Sequence, residues 1–128
     1  MGFHRFCKAM LEGRALTVYG DGSQSRDFTY IADAVEANVR AWTKSAPQGV
    51  YNVGGGSQVT VLETILMLEK TLGVKAVLDF QPRPPGDPMR TRADATRLQA
   101  DLGYVPRVGI EEGLAAEAAW ARGVYAGA

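Results

Sequence analysis

The sequence has few of the residues that build disulfides, metal centres or membrane segments. It contains one cysteine, Cys7, and one histidine, His4. A single cysteine excludes a disulfide within the chain, and together the two residues exclude the usual Cys/His zinc sets. No run of roughly 18 apolar residues is present, so no transmembrane helix is predicted, and neither is a secretory signal peptide. We therefore expect a reducing, cytoplasmic setting and no bound metal.

The chain also lacks an excess of charge of either sign. Its 14 lysines and arginines balance its 14 aspartates and glutamates. Binding to nucleic acid or to an anionic membrane is therefore disfavoured, because no net field attracts the chain to a polyanion. A content of 46% hydrophobic residues over 128 residues is enough for one domain with its own core.

Apolar residues recur with the period of an α-helix in several segments. Thr60 and Glu63 have the spacing of a capping box, so a helix is expected to begin at residue 61 and to end at Gly73. The helix that follows Asp33 is expected to bury Val35, Val39 and Trp42. Helices are predicted over 3–12, from Asp33 to about Trp42, over 61–72, through 98–102 and over 110–125. Pro47 and Gly49 are expected to end the second of these helices.

Shorter runs of β-branched and aromatic residues lie between these segments and predict strands. They are 16–19, 28–31, 50–53 and 75–80. Gly20, Asp21 and Gly22 predict a turn, and the prolines between 82 and 88 exclude regular structure there. The predicted fold class is α/β, with helices packed on a few short strands.

A lone arginine stands in the stretch GDGSQSRDFTYIAD, residues 20–33. Arg26 follows the predicted turn and precedes a predicted strand and helix, which is where a loop side chain that meets an anion would be held. The alternative is a surface ion pair with Asp27 or Asp21, which would contribute about 0–1 kcal/mol. The residues alone leave both interpretations open.

Residues 83–97 carry the second group of candidate ligand-binding side chains. Four arginines, at 83, 90, 92 and 97, stand against two aspartates, Asp87 and Asp94. The planar guanidinium suits bidentate contact with phosphate oxygens. The alternative is a solvated charged loop. The three glycines at 54–56 similarly indicate either a flexible turn or a close approach of backbone to a ligand.

Four blocks of sequence, taken together, resemble a known family. GDGSQSRDFTYIADAVEA from residue 20, YNVGGG at 51–56, PPGDPMRTRAD at 84–94 and LGYVP at 102–106 are similar to the C-terminal half of the NAD-dependent nucleotide-sugar epimerases/dehydratases. These are extended short-chain dehydrogenases, and the UDP-glucose and UDP-glucuronate 4-epimerases are the nearest. The resemblance implies that residues 1–128 form one sugar-nucleotide-binding domain without the NAD-binding Rossmann half that precedes it in the family.

The resemblance also implies roles for individual residues. Arg26 matches an arginine that meets the nucleotide diphosphate, Asn52 lies beside the substrate, and the loop with Asp87 lies over the nucleotide. Pro84 stands where relatives frequently carry a polar residue, so Arg83 or Arg90 is expected to take over that contact. The substrate-binding candidates are therefore Arg26, Asn52, Arg83, Asp87 and Arg90.

Two motifs of the family are absent from this sequence. It has neither the glycine fingerprint of a dinucleotide site nor a Tyr-x-x-x-Lys pair, so the isolated chain is expected to bind no NAD and to be inactive. Two alternatives stay open. One is a non-enzymatic sugar-nucleotide-binding module. The other is an interaction remnant that pairs with a second copy or with a Rossmann half through the apolar stripes of helices 3–12, 61–72 and 110–125.

Overall fold

A computed structural model of the chain describes residues 2–44 and 49–125. In these ranges the architecture is the predicted α/β class. The elements in chain order are α1 (Gly2–Leu11), β1 (Leu16–Tyr19), β2 (Ser25–Asp27), α2 (Ile31–Thr43), β3 (Gln58–Thr60), α3 (Val61–Leu72), β4 (Leu78–Gln81), α4 (Thr96–Leu102) and α5 (Ile110–Tyr125).

The four strands form two separate pairs. β1 and β4 are parallel, with Leu16 opposite Leu78, and β2 and β3 are antiparallel, with Arg26 opposite Val59. β1 has the predicted bounds, whereas β4 is shifted towards the C-terminal end of the predicted 75–80 strand. β3 was not predicted, because its three residues carry no apolar alternation and owe their conformation to β2.

Two predicted strands are wrong. Residues 28–30 are irregular and Ile31 already begins α2, because the ladder with β3 ends at Asp27. The ring of Phe28 instead contacts the ring of Phe3 in α1, with 4.3 Å between centroids. Residues 50–53 are also irregular, and Tyr51 and Val53 pack against a small core formed by α2 and α4.

The main core lies between α1, α3 and α5 and the β1–β4 pair. Its buried members include Cys7, Leu16, Leu68, Leu72 and Leu114. The predicted stripes on these three helices therefore pack against one another, whereas self-association of the chain stays a prediction. Sequence periodicity identified the apolar faces but did not show that they cover each other.

A second, smaller core consists of Ala37, Leu98, Leu102 and Tyr104. Here the predicted burial of the α2 stripe is wrong, since Val35, Val39 and Trp42 are 53%, 49% and 90% exposed. The opposite side of α2 faces this core. Pro47, which was expected to help end the helix, lies outside the described residues.

Helix ends follow the local signals in the sequence. The Thr60 side chain accepts from the Glu63 amide while the Glu63 carboxylate accepts from the Thr60 amide, which is the predicted capping box. Gly73 and Gly103 end α3 and α4 in the left-handed conformation, with φ of 64° and 65°. None of the described helices is long and apolar enough to span a bilayer.

Candidate functional site

The turn after β1 gives the loop that carries Arg26 a fixed shape. Gly20 and Gly22 have φ of 65° and 75°, a region that favours glycine. The Asp21 carboxylate accepts from the Ser23 amide at 3.0 Å, and its hydrogen bonds to Ser23 lower the pKa of Asp21. The buried side chain of Gln24 donates to the last carbonyl of β1 at 2.9 Å. The chain therefore enters β2 along a defined path.

Arg26 lies in the middle of β2, with backbone on both sides. β3 pairs with one edge, and on the other the Ser25 amide donates to the Met89 carbonyl at 2.8 Å while the Thr91 amide donates to the Ser25 carbonyl at 3.1 Å. Arg26 Nη2 contacts Asp87 Oδ1 at 2.7 Å, and Nη1 donates to the Ser25 carbonyl at 2.9 Å. The anticipated pairing with Asp27 or Asp21 is therefore wrong, because the carboxylate comes from Asp87, 61 residues away.

Asp27, at the end of β2, contacts residues 83–97, which we call the arginine-rich segment. Its Oδ2 accepts from the Ala93 amide at 3.1 Å, and within the described ranges its buried Oδ1 has no hydrogen-bond partner. A Cβ at Gly54 would lie 2.7 Å from the Cβ of Ala93, so only glycine lets the 51–56 segment approach this closely. Sequence reasoning missed this contact, since nothing local marks Asp27 as a clamp.

The structure separates the predicted arginines. Arg90 forms a parallel bridge with Ser25 and therefore lies next to the backbone of Arg26. Arg83 lies at the turn after β1, where its side chain is next to Gly20 and contacts the sulfur of Met89. Arg97 stacks on the ring of Tyr51 at 4.9 Å from its centroid, which makes it a packing residue. Arg26 and Asp87 are thus brought together, whereas the bridge puts the Arg90 side chain on the face of Ser25, opposite to that of Arg26.

Asn52 and the glycine run lie beside the other end of the arginine-rich segment. Asn52 Nδ2 donates to the Asp94 carbonyl at 3.4 Å. A Cβ at Gly55 would collide with the carbonyl oxygen of Phe28, so this glycine permits contact between two backbone segments. At Gly55 the run is therefore not a cradle open to a ligand.

A second clamp lies behind the site, at the start of α2. Asp33 is 3% exposed, and its two oxygens accept from the amides of Arg107 and Val108, both at 3.0 Å. The hydroxyl of buried Tyr104 donates to the Gly54 carbonyl at 3.2 Å. Burial first, and then the charges of Asp33 and Asp27, raise the pKa of Tyr104. The sequence predicted a first-turn carboxylate at Asp33 but not its partners.

A cavity of about 400 Å³ adjoins β1 on the side away from β4. Its lining includes Arg5, Arg14, Thr17 and Gln24. The amides of Leu16 and Gly20 donate to carbonyls in and next to β4. Since backbone groups alternate in direction along a strand, those of Thr17 point away from β4 towards the cavity. Sequence reasoning did not find this cavity, because it depends on β1 being unpaired on that edge.

The glycine turns at 20–22 and 54–56 do not have the arrangement of a Rossmann dinucleotide site. Such a site needs a glycine turn that leads from a strand into a helix N-terminus. Here the turn at 20–22 leads into β2, and the glycines at 54–56 lead into β3. No group of acidic, histidine or cysteine residues suited to a metal ion occurs within 2–44 and 49–125.

The two residues most often used as nucleophile or base are engaged in packing. Burial raises the pKa of the Cys7 thiol to about 11, so it stays protonated at neutral pH. His4 Nε2 lies 3.0 Å from the Tyr125 hydroxyl, and its ring contacts that of Trp120. Both side chains lie on α1 in the main core region, apart from Arg26. Around Arg26 the structure brings together a half-buried guanidinium and the carboxylate of Asp87.

Comparison with known proteins shows which proteins the chain is similar to. The NAD dependent epimerase/dehydratase family matches residues 3–54. The uncharacterized UDP-glucose epimerase YtcB of Bacillus subtilis is 38% identical over 99% of this chain and 40% of that protein. The probable UDP-glucuronate 4-epimerase of Rhizobium meliloti is 34% identical over 94% of this chain and 41% of that protein.

Solved structures with a similar fold come from the same group of proteins. UDP-glucuronic acid 4-epimerase from Bacillus cereus, solved with UDP-glucuronic acid and NAD, matches with a TM-score of 0.92 and 41% identity over 98% of this chain and 40% of that chain. The chain thus spans about 40% of the length of the proteins it matches. By sequence and by fold, it corresponds to the C-terminal portion of NAD-dependent epimerase/dehydratase proteins.

Proposed function

We propose that this chain is the substrate-binding portion of a protein like the UDP-sugar 4-epimerases, and that Arg26 binds the diphosphate of the sugar nucleotide. The observation that carries the proposal is the position of Arg26, held between β3 and the 89–91 segment with its guanidinium oriented by Asp87. The similarity to proteins named as UDP-sugar epimerases supports the class of ligand.

The contacts of Arg26 orient its guanidinium and leave further N–H donors for a ligand. A guanidinium has more N–H donors than the two bonds to Asp87 and the Ser25 carbonyl use. Its side chain is only 24% exposed, so a charge-assisted hydrogen bond to a phosphate would be less weakened by water than one at the open surface. Asp87 is proposed to orient the Arg26 guanidinium. The same contact is proposed to hold residues 82–88, the loop with four prolines, beside the ligand.

The charges near Arg26 are largely paired, since Asp87 contacts Arg26 and Asp21 carries an opposite charge near Arg83. The proposal therefore rests on the orientation of the Arg26 guanidinium and not on a surplus of positive charge. We place Asn52 at the edge of the site, where its amide already donates to the Asp94 carbonyl.

The cavity beside β1 is proposed to take the less charged end of the same ligand. Its volume of about 400 Å³ is in the range of small-molecule sites. The backbone groups of Thr17 offer one donor and one acceptor there, and Gln24 links the cavity to the loop of Arg26. A ligand with a polar planar group joined to a diphosphate would reach both places.

Catalysis is proposed to require the part of the relatives that this chain does not span. Hydride transfer needs a nicotinamide held against the sugar and a base for the hydroxyl proton. The described residues supply neither, so residues 1–128 are proposed to act as one binding domain. We keep the absence of NAD binding by the isolated chain as a prediction, which titration with NAD tests.

The test is a calorimetric titration with UDP and, separately, with uridine. Arg26→Ala should weaken UDP binding roughly tenfold to a hundredfold, since a hydrogen bond to a charged group contributes about 1.5–3 kcal/mol. Arg26→Lys should recover little, because a point charge does not reproduce the bidentate fork. Uridine, which has no phosphate, should bind the unaltered chain and Arg26→Ala equally.

Arg122→Ala is the matched control, since Arg122 lies on α5 and donates to the Thr71 carbonyl at 3.0 Å. It should leave UDP affinity unchanged. If Arg26→Ala lowers the melting temperature while UDP affinity stays the same, Arg26 is a structural partner of Asp87 and the proposal is wrong. Equal weakening by Arg122→Ala would likewise contradict it, because the effect would then not be local to the site.

A further inference from the structure

Residues 88–92 lie beside β2 without placing a side chain in either core. All of them are exposed, so apolar packing does not hold this segment in place. The segment meets β2 through one bridge of a parallel ladder, in which the Ser25 amide donates to the Met89 carbonyl and the Thr91 amide donates to the Ser25 carbonyl. A segment with few buried contacts opens at low cost. Further contacts are therefore needed to keep it against β2.

Asp27 supplies such a contact at the end of the ladder. In a regular parallel ladder the next bonds would join the Ala93 amide to the Asp27 carbonyl and the Asp27 amide to the Thr91 carbonyl. Here the Ala93 amide donates at 3.1 Å to Oδ2 of the Asp27 side chain. The Thr91 carbonyl accepts from Nε2 of Gln58, also at 3.1 Å. Two side chains therefore continue the ladder beyond its single backbone bridge.

The surroundings of the Asp27 carboxylate indicate more than a stabilising contact. Its buried Oδ1 has no hydrogen-bond partner within 2–44 and 49–125, and burying an unpartnered carboxylate oxygen costs free energy. A Cβ at Gly54 would lie 3.0 Å from Oδ2, so the 51–56 segment closes the space around the bond to Ala93. Local costs of this kind are typical of functional sites.

This contact can influence Arg26 only through the chain. Successive side chains point to opposite faces of a strand, so the side chains of Arg26 and Asp27 lie on opposite faces of β2. The connection runs back along the segment to Pro88, whose ring fixes φ, and then to Asp87. Asp87 Oδ1 contacts Arg26 Nη2 at 2.7 Å. The position of the segment therefore decides whether Asp87 reaches the guanidinium.

We propose that Asp27 is a positioning residue for the candidate site. By holding the Ala93 amide, it keeps Asp87 in contact with Arg26 and so keeps the guanidinium oriented. The consequence for ligand affinity rests on the proposed function of Arg26, whereas the orientation of the guanidinium can be measured without a ligand. An arginine that is oriented for only part of the time binds more weakly in proportion to that fraction.

The first experiment is NMR of the arginine side-chain nitrogens without a ligand. Hydrogen bonds from Arg26 to Asp87 and to the Ser25 carbonyl slow the rotation of its guanidinium, so its Nη resonances should be resolved in the unaltered chain. They should merge in Asp27→Ala, as in the positive control Asp87→Ala. Resolved Nη resonances in a folded Asp27→Ala would overturn the proposal.

Titration with UDP measures the consequence for the ligand. Asp27→Ala should weaken UDP binding about fivefold to tenfold, and Asp27→Asn, which keeps an oxygen for the Ala93 amide, should recover most of the loss. In the Arg26→Ala background Asp27→Ala should have no further effect, because Asp27 acts through that arginine. Glu69→Ala is the matched control, since Oε1 of Glu69 also accepts from a backbone amide, that of Ala76 at 2.9 Å, outside the site.

The two experiments separate this proposal from the proposed function. If UDP does not bind the unaltered chain, the proposed function fails and the Nη resonances still decide the role of Asp27. Equal weakening by Asp27→Ala and Asp27→Asn, or an undiminished effect in the Arg26→Ala background, would contradict the positioning role, because the bond to Ala93 would then not act through Arg26.

Gln58→Ala keeps the proposal testable if Asp27→Ala does not melt cooperatively. Gln58 is exposed, and its loss removes the other side-chain contact to the same segment. The Nη resonances of Arg26 should broaden in this variant, and UDP binding should weaken by a smaller factor than in Asp27→Ala. Unaltered resonances would show that the segment does not depend on its side-chain contacts, and would overturn the proposal.

Discussion

The region of α1, α3 and α5 and the region of α2 and α4 are stabilised by different kinds of contact. Around α1, α3 and α5 the contacts are apolar, and the buried side chains of Leu68, Leu114 and Val18 belong to one continuous cluster. Around α2 and α4 the cluster of buried apolar residues has four members among the described residues, and carboxylates such as Asp33 and Asp27 hold backbone amides in place. The first region resembles an ordinary domain core. In the second, α2 is packed on one side only.

This difference accounts for where the candidate ligand-binding groups lie. A region held by polar contacts can place Arg26 and Asp87 at its surface and leave one side of α2 uncovered, because neither feature is needed to fill a core. The apolar region supplies the rigid support. The following predictions compare the two regions, beginning with the largest effect.

Shortening a core side chain should cost more in the apolar region. Leu68→Ala should lower the free energy of unfolding by about 3–5 kcal/mol, since Leu68 is fully buried where α1, α3 and α5 meet. Leu98→Ala, in the small core, should cost about 2 kcal/mol, because its surroundings collapse more easily. Urea unfolding measures both, with exposed Leu66→Ala as the control. Equal costs for Leu68 and Leu98 would contradict the proposed difference.

Removing the Asp33 carboxylate should cost nearly as much as a core residue in its region. Asp33→Ala leaves the amides of Arg107 and Val108 without their acceptors, which costs about 2–3 kcal/mol. Asp33→Asn keeps one oxygen and should lose about half as much. Hydrogen exchange should show faster exchange at both amides in Asp33→Ala and at only one in Asp33→Asn. Unchanged exchange at Arg107 and Val108 would show that Asp33 is not the clamp.

The sequence predicted what depends on neighbours along the chain. The capping box at Thr60, the αL ends at Gly73 and Gly103, and the stripes of α1, α3 and α5 all follow from residues within a few positions of each other. The α/β fold class follows as well, and so does the resemblance to the epimerases/dehydratases. The arginine loop was identified as a candidate for the same reason, because the turn at 20–22 and the helix after it are local features.

The predictions that failed depend on partners distant in sequence. The 28–31 strand lacked a ladder partner, while β2 acquired two from residues 58–60 and 89–91. The α2 stripe was wrongly predicted to be buried, because periodicity identifies an apolar face but not the direction in which the face points. The hydrogen bonds of Asp33 to residues 107–108 set that direction. The Arg26–Asp87 pair spans 61 residues, and no local pattern distinguishes Asp87 from Asp27 as its partner.

Thr60 connects the two regions, since it ends β3 and caps α3. Thr60→Ala should cost about 1 kcal/mol, because the Glu63 amide loses its acceptor at the start of α3. Thr60→Ser keeps the hydroxyl and should cost less. Thermal melting checks both variants. If Thr60→Ala and Thr60→Ser are equally destabilising, the loss comes from the β-branched methyl in β3 and not from the cap.

The smallest expected effect is the pH dependence of the same junction. Hydrogen bonds from the Thr60 amide and then its hydroxyl lower the pKa of Glu63 below its usual 4.5. Because the pKa is lower in the folded chain, this contribution to stability is complete above about pH 4.5 and is lost as the pH falls through the folded value. Glu63→Gln should remove that part of the acid dependence, whereas Thr60→Ala keeps the amide bond and should remove less. Melting curves from about pH 7 to about pH 3 measure the difference from the unaltered chain. If Glu63→Gln melts with the same pH dependence as the unaltered chain, acid acts on other carboxylates, such as Glu69 beside Lys75, and the junction between the two regions does not titrate.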